Sequence, residues 1–190
     1  MLILASASPR RFHLLSELGL TFKVQAPHVD ESYAAGMSPA EVVQMLARRK
    51  AAAFAETELT GNVVLAADTV VALDGEILNK PADAHEAKAM LRQLSGRSHE
   101  VYTGISLRSA SHWVTRFDVA TVNFKPLEEK EIDYYIKTHK PYDKAGAYGI
   151  QEYIGMIGIN RMEGSYYTIV GLPTHLVWEE LQSEPFLRLI

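Results

Sequence analysis

Residues 62–75, NVVLAADTVVALDG, constrain the fold more than any other stretch of this chain. Val63, Val64, Leu65, Ala66 and Ala67 form an unbroken apolar run, the pattern of a strand buried on both faces. The run resumes at Val70, Val71, Ala72 and Leu73 and ends in Asp74-Gly75, a strong hairpin signal. Between its halves lie a carboxylate and a hydroxyl, Asp68 and Thr69. A buried charge costs several kcal/mol unless it is paired or ligates a metal. A lone Asp in such a place reads as a strand bend satisfied by backbone donors. The candidate partners elsewhere in the chain, most of them basic, shift the balance towards a metal-binding or catalytic carboxylate.

The chain has 190 residues, room for one domain over 1–190 with a substantial core. Its 19 Lys+Arg against 23 Asp+Glu leave a net charge of −4, which gives no global attraction for nucleic acid or an anionic membrane. A phosphate site must therefore be a local cluster. Cysteine is absent, so disulfides and thiolate metal sites are excluded. The first residues lack the basic lead and longer apolar region of a signal peptide. No segment reaches the roughly 20 apolar residues needed to cross a bilayer. The expectation is a soluble, cytoplasmic protein.

Taken in order, Leu2–Ala5 reads as a first strand running into Ser6-Ala7-Ser8-Pro9-Arg10-Arg11. Ser8 is a natural N-cap and Pro9 a favoured first helical residue, with Leu14, Leu15 and Leu18 at helical spacing. A strand turning directly into a helix N-terminus makes an anion site, and Ser6, Ser8, Arg10 and Arg11 add donors to it; solvated arginines on a well-capped helix are the plainer alternative. Phe22–Ala26 is a second strand, followed by a polar loop in which Asp30-Glu31 is either a ligand pair or an exposed acidic turn. Ser38-Pro39-Ala40-Glu41 is a capping box opening a helix to about Ala55. Arg48, Arg49 and Lys50 on that helix point in different directions, so at most one or two reach a common site. After the hairpin, Pro81 fixes extended geometry at Lys80, and Asp83 caps another helix. His99–Ala110 and Trp113–Phe124 read as an antiparallel pair, and Leu127–Thr138 as a helix. The loop 140–151, KPYDKAGAYGIQ, lets backbone approach a ligand closely through its small residues, or is a structural turn. Met156–Asn160 and Tyr166–Val170 read as a strand pair, and a final helix starts after Pro173.

Arg10, Arg11, Lys50, Lys80 and Lys144, set against Glu31, Asp68 and Asp143, suit a polyphosphate accompanied by a divalent cation. The seven histidines show no zinc-type pairing. Neither a GxxxxGK[ST] loop nor a GxGxxG fingerprint is present. The motifs SASPRR, AADTVV, NKPAD, LSGRSHEVYTG, DKAGAYGIQ and GSYYTIVGLP occur in this order from Leu4 to about Leu181. Together they resemble the Maf family of nucleoside triphosphate pyrophosphatases. The resemblance implies a mixed twisted α/β sheet flanked by helices, like the inosine triphosphate pyrophosphatases, with two lobes around a cleft and a homodimer. It also implies hydrolysis of a nucleoside triphosphate to the monophosphate and pyrophosphate.

By the same resemblance Asp68 takes the general-base position, and Glu31, Lys50 and Lys80 match other active-site positions. Arg10, Thr69 and Gln151 match specificity positions of the dTTP/UTP branch. One departure is Glu152, where relatives commonly carry glycine after the glutamine. Mg²⁺ or Mn²⁺ held by Asp68 with help from Glu31 would orient the attacking water, or Asp68 would accept its proton directly. Arg10, Lys50 and Lys80 would stabilise charge on the triphosphate and the leaving group. A glutamine amide matches the N3–H and carbonyl oxygens of uracil or thymine better than cytosine, and does not by itself exclude 5-modified pyrimidine nucleotides. A regulator of septum formation and cell division that binds nucleotide without turnover is the alternative of a different class.

Overall fold

The computed structural model describes residues 1–188. Its strands are β1 (Leu2–Leu4), β2 (Phe22–Val24), β3 (Val63–Leu73), β4 (Glu76–Leu78), β5 (Ser98–Arg108), β6 (Trp113–Phe124) and β7 (Ile159–Glu163). They lie in one mixed sheet in the order β2-β1-β3-β5-β6-β7, with β4 attached to β3. The helices are α1 (Pro9–Glu17), α2 (Pro39–Ala52), α3 (Glu56–Leu59), α4 (Ala84–Leu94), α5 (Glu129–His139), α6 (Tyr153–Gly158), α7 (Tyr166–Val170) and α8 (Thr174–Gln182). None of the described helices is long and apolar enough to cross a membrane.

The 62–75 stretch is central, as its composition requires. Every residue of β3 is buried except Thr69, which is half-buried. Leu2, Ile3 and Leu4 of β1 pair parallel with Val63, Val64 and Leu65, and parallel strands covered on both faces read as continuous apolar runs. Asp74 and Gly75 both take positive φ, 53° and 84°, the twist a two-residue hairpin needs, and Leu73 faces Glu76 across it. Strands β5 and β6 form the second hairpin. The Ser109 N–H donates to the His112 carbonyl at one end and the Phe124 N–H to the Arg97 carbonyl at the other.

The chain clusters into two compact units. The first comprises Met1–Asp68, Thr103–Asp118 and the described residues from Gly171 on; the second comprises Thr69–Tyr102 and Val119–Val170. In the first, Ile3, Ala5, Ala51, Phe54, Leu59, Val64 and Ala66 form a buried cluster backed by Trp113. Helix α2 carries both hydrogen bonds of its capping box. The Glu41 N–H donates to Ser38 Oγ at 3.3 Å and the Ser38 N–H to Glu41 Oε2 at 2.8 Å. In the second, a larger core gathers Leu91, Leu94, Val122, Phe124, Ile132, Tyr135, Tyr148 and Ile154.

One part of the sequence reading is corrected. Met156–Asn160 and Tyr166–Val170 are not a strand pair: α6 runs through Gly158, β7 follows and pairs antiparallel with β6, and Tyr166–Val170 is helix α7. Aromatic and β-branched residues favour strands only where a pleated partner is available. Here Gly164, at φ 96°, turns the chain off the sheet with its Cα against Ala120. Ser165 then accepts the first helical N–H bonds, from Thr168 and Ile169, which α7 buries.

Candidate active site

The first unit assembles seven of the expected residues. Strand β1 ends at Leu4 and helix α1 begins at Pro9, so residues 5–8 form the strand-to-helix turn. Ser8 caps α1 with its side chain accepting from the Arg11 N–H at 3.4 Å, and its own N–H donates to Ser6 Oγ at 3.2 Å. Arg11 reaches back over this turn, with Nη1 3.3 Å from Ser6 Oγ and Nε donating to the Gly171 carbonyl at 2.8 Å. Burial of the Arg11 guanidinium lowers its proton affinity. Asp68 opposes that shift, Arg10 reinforces it and Glu31 opposes it, so the two arginines and two carboxylates act on one another in a single electrostatic neighbourhood.

At its centre is Lys50. Its Nζ lies 2.5 Å from Asp68 Oδ1 and 2.7 Å from Glu31 Oε1. The side chains of Lys50 and Asp68 are each 12% exposed, whereas that of Glu31 is 48% exposed. The Lys50–Asp68 contact is therefore an enclosed ion pair whose loss leaves an uncompensated charge. The Glu31 contact is largely screened by solvent. Asp68 sits on β3 between Ala67 and Thr69, and it is the lysine from α2 that makes its burial tolerable.

The three consecutive basic residues of α2 go to three places. Arg48 stacks over the Trp113 ring at 3.9 Å. Arg49 Nη1 donates to the carbonyls of Asp30 at 2.5 Å and Ser32 at 2.7 Å, strapping the loop on either side of Glu31. Lys50 takes the two carboxylates. Asp30 accepts from the Ser32 hydroxyl at 2.5 Å and the Ser32 N–H at 2.9 Å, which holds its carboxyl below the usual range. Of the acidic pair in the loop, Asp30 shapes the turn and Glu31 meets the lysine. Sequence reasoning missed Arg49; its signal was a helix position one residue before Lys50, on a different face.

Thr69, Lys80, Lys144 and Gln151 belong to the second unit. Thr69 follows Asp68 directly on β3 and is half-buried. Lys80 is exposed, next to Asn79, whose carbonyl accepts the Gly146 N–H at 3.3 Å. Lys144 is buried, and its Nζ contacts Asp143 Oδ1 at 2.7 Å and Glu152 Oε1 at 3.2 Å. Gln151 is exposed in the turn 149–152, which the Glu152 N–H closes by donating to the Gly149 carbonyl at 3.0 Å.

The sequence of the chain matches the Maf-like protein family over residues 1–184. This chain belongs to that family. Among its Maf-like relatives is the dTTP/UTP pyrophosphatase of Porphyromonas gingivalis ATCC 33277, 48% identical over 95% of this chain and 92% of that protein. Another is the dTTP/UTP pyrophosphatase of Bacillus cytotoxicus, 49% identical over 95% of this chain and 93% of that one. A solved nucleoside-triphosphatase/dITP/XTP pyrophosphatase from Mycobacterium abscessus aligns over 100% of this Maf-like chain and 97% of its own, at 16% identity and a TM-score of 0.48.

Among the described residues no group of three or more His, Cys, Asp or Glu side chains converges as a self-sufficient metal site. Asp68 and Glu31 supply two carboxylates beside a lysine. A hard cation such as Mg²⁺ is commonly held by one or two carboxylates plus substrate phosphates. The donors present therefore fit a cation completed by a bound polyphosphate.

Proposed function

We propose that this Maf-like protein is a dTTP/UTP pyrophosphatase, hydrolysing these nucleotides to the monophosphate and pyrophosphate. The observation that carries the reading is the enclosed Lys50–Asp68 pair beside Glu31 and the Arg11-braced β1–α1 turn. The names of the relatives, at 42–49% identity over most of the chain, support the substrate. Hydrolysis of 5-modified pyrimidine nucleotides, removal of unwanted nucleotides from the pool, a cytoplasmic location and a homodimer belong to the same proposal. No observation favours a division regulator without turnover.

In the proposed reaction a water oxygen attacks the α-phosphorus, the bond from that phosphorus to the α–β bridging oxygen breaks, and pyrophosphate leaves. Asp68 accepts the proton of the attacking water. Lys50 balances the charge of Asp68 beforehand and turns towards the phosphoryl oxygens as that proton arrives. Ser6, Ser8, Arg10 and Arg11, around the start of α1, bind the triphosphate chain. Lys80 adds positive charge to the leaving group. Mg²⁺ or Mn²⁺ held by Asp68 and Glu31 would neutralise phosphate charge and complete the site. Gln151 and Thr69 read the base.

A panel of canonical nucleoside triphosphates, assayed with Mg²⁺ or Mn²⁺ and again with excess EDTA, tests this. UTP and dTTP should give monophosphate and pyrophosphate, and EDTA should abolish turnover. Nucleoside diphosphate and inorganic phosphate as products would place cleavage at the wrong bond. Activity that survives EDTA would remove the cation.

A further inference from the structure

The second unit contains a side-chain network that the proposed reaction does not use, built around the carboxylate of Glu152. Its backbone is the N-cap of α6, yet its side chain makes no capping bond to that helix. It turns back instead. Glu152 Oε2 accepts a hydrogen bond from the Tyr135 hydroxyl, while Oε1 contacts Lys144 Nζ at 3.2 Å. The same Tyr135 oxygen accepts the Gly149 N–H at 3.0 Å. Tyr135 is fully enclosed on α5, and burial, reinforced by Glu152, raises its pKa so that it stays a donor.

These bonds enclose one turn. Gly149 and Glu152, its first and last residues, are joined directly through the Glu152 N–H and again through Tyr135. A Cβ on Gly149 would lie 2.9 Å from Glu152 Cδ, so the carboxylate packs on bare backbone. Ile150, second in the turn, is buried in the core, and its carbonyl lies where a Cβ on Gly155 would approach to 2.1 Å. Three of the four residues are thus fixed, and Gln151 alone projects outward. An amide that discriminates bases by donor and acceptor position works only if its Cα is held still, because a displacement of about an ångström forfeits the alignment.

We infer that Tyr135 and Glu152 are positioning residues for base selection: they clamp the Gly149–Glu152 turn and so fix where the Gln151 amide stands. This rests on the dTTP/UTP reading and identifies, within it, what makes this chain's base selection depend on a glutamate after the glutamine.

The test uses the full chain with Tyr135→Phe, Glu152→Ala and Glu152→Gln. Native-state amide exchange reads the turn without substrate. Losing the Tyr135 oxygen should accelerate exchange at the Gly149 N–H about tenfold. Steady-state kinetics with UTP and CTP then read selection. Tyr135→Phe and Glu152→Ala should raise KM for UTP about fivefold, the worth of one hydrogen bond, with kcat changed less than about twofold, and lower the UTP-over-CTP preference similarly. Glu152→Gln keeps an acceptor for Tyr135 and should retain most of that preference. Loss of thermal stability with an unchanged UTP/CTP ratio would make the network merely structural and overturn the inference, as would unaltered Gly149 exchange in Tyr135→Phe. A wild-type chain that hydrolyses neither UTP nor dTTP sinks the substrate reading, and base selection with it. In that event Gly149 exchange still decides separately whether Tyr135 clamps the turn.

Discussion

One share of the destabilisation of this protein by acid should come from His99. Its side chain is 2% exposed on β5, packed against the rings of Phe124 and Tyr148 with centroids 5.3 Å away in each case. Nε2 lies 2.7 Å from the Tyr148 hydroxyl, and Nδ1 has no hydrogen-bond partner among the described residues. A proton added to this imidazole enters an apolar enclosure without a carboxylate, and burial accordingly lowers the pKa from 6.5 to about 4. Between those values the unfolded chain binds the proton and the native one does not, so stability falls as pH falls through the window. At 1.36 kcal/mol per pH unit the full loss is ~3 kcal/mol, of which ~2 kcal/mol should be gone by pH 5. Above pH 6.5 the imidazole is neutral in both states and contributes no pH dependence. Urea unfolding of the wild type and His99→Gln at pH 7.5, 6 and 5 isolates the effect, because every other titrating group contributes to both proteins. The variant should start less stable at pH 7.5, having lost ring packing, and the two curves should converge by ~2 kcal/mol at pH 5. Parallel curves would refute the burial of an unpaired neutral imidazole. On the proposed role of Gln151 the result bears on base selection too, since Tyr148 belongs to the segment that leads into the Gln151 turn.

The first unit yields three further expectations. Asp68→Asn leaves the enclosed Lys50 with only the more exposed Glu31 as its charge partner, so it should fold with reduced stability. It should also lose about 10²–10⁴-fold in turnover, the usual share of a general base; near-normal activity would take Asp68 out of the mechanism. Lys50→Met strands the enclosed Asp68 carboxylate and should cost ~3 kcal/mol in denaturant unfolding, falling well below that only if solvent reaches Asp68. The double variant Lys50→Met with Asp68→Leu should recover most of the loss. Gly104→Ala should lower stability by at least ~2 kcal/mol, because its Cβ would stand 2.4 Å from the Val43 carbonyl of α2, and backbone packed on backbone does not yield. A calorimetric Tm shift of less than a degree would contradict that packing.

Asp68 was legible in the sequence because its surroundings were not. An acidic residue inside VVLAADTVVAL has only the Thr69 hydroxyl beside it and no basic neighbour along that strand, so its charge partner had to come from elsewhere. The structure supplies Lys50 at 2.5 Å. Glu152 is the same physical object and left no such trace. In each unit a lysine is clasped by one enclosed and one open carboxylate: Lys50 by Asp68 and Glu31, with 12% and 48% of their side chains exposed, and Lys144 by Glu152 and Asp143, with 19% and 64%. What differs is the backbone. Asp68 lies on a strand whose burial is written into an apolar run, whereas Glu152 lies in a turn among Gly149, Gln151 and Tyr153, where an acid reads as exposed. Its enclosure comes from Tyr135 on α5, 17 residues away, and spacing along a chain does not encode that distance in space. The same limit hid His99, whose ring nitrogen meets the Tyr148 hydroxyl 49 residues on, and it made a strand of the aromatic Tyr166–Val170 segment. Periodicity and capping rules act within one element, and they recovered β3, its hairpin and the capped starts of α1 and α2. Side chains that hold a turn from another element become visible only once the elements are packed.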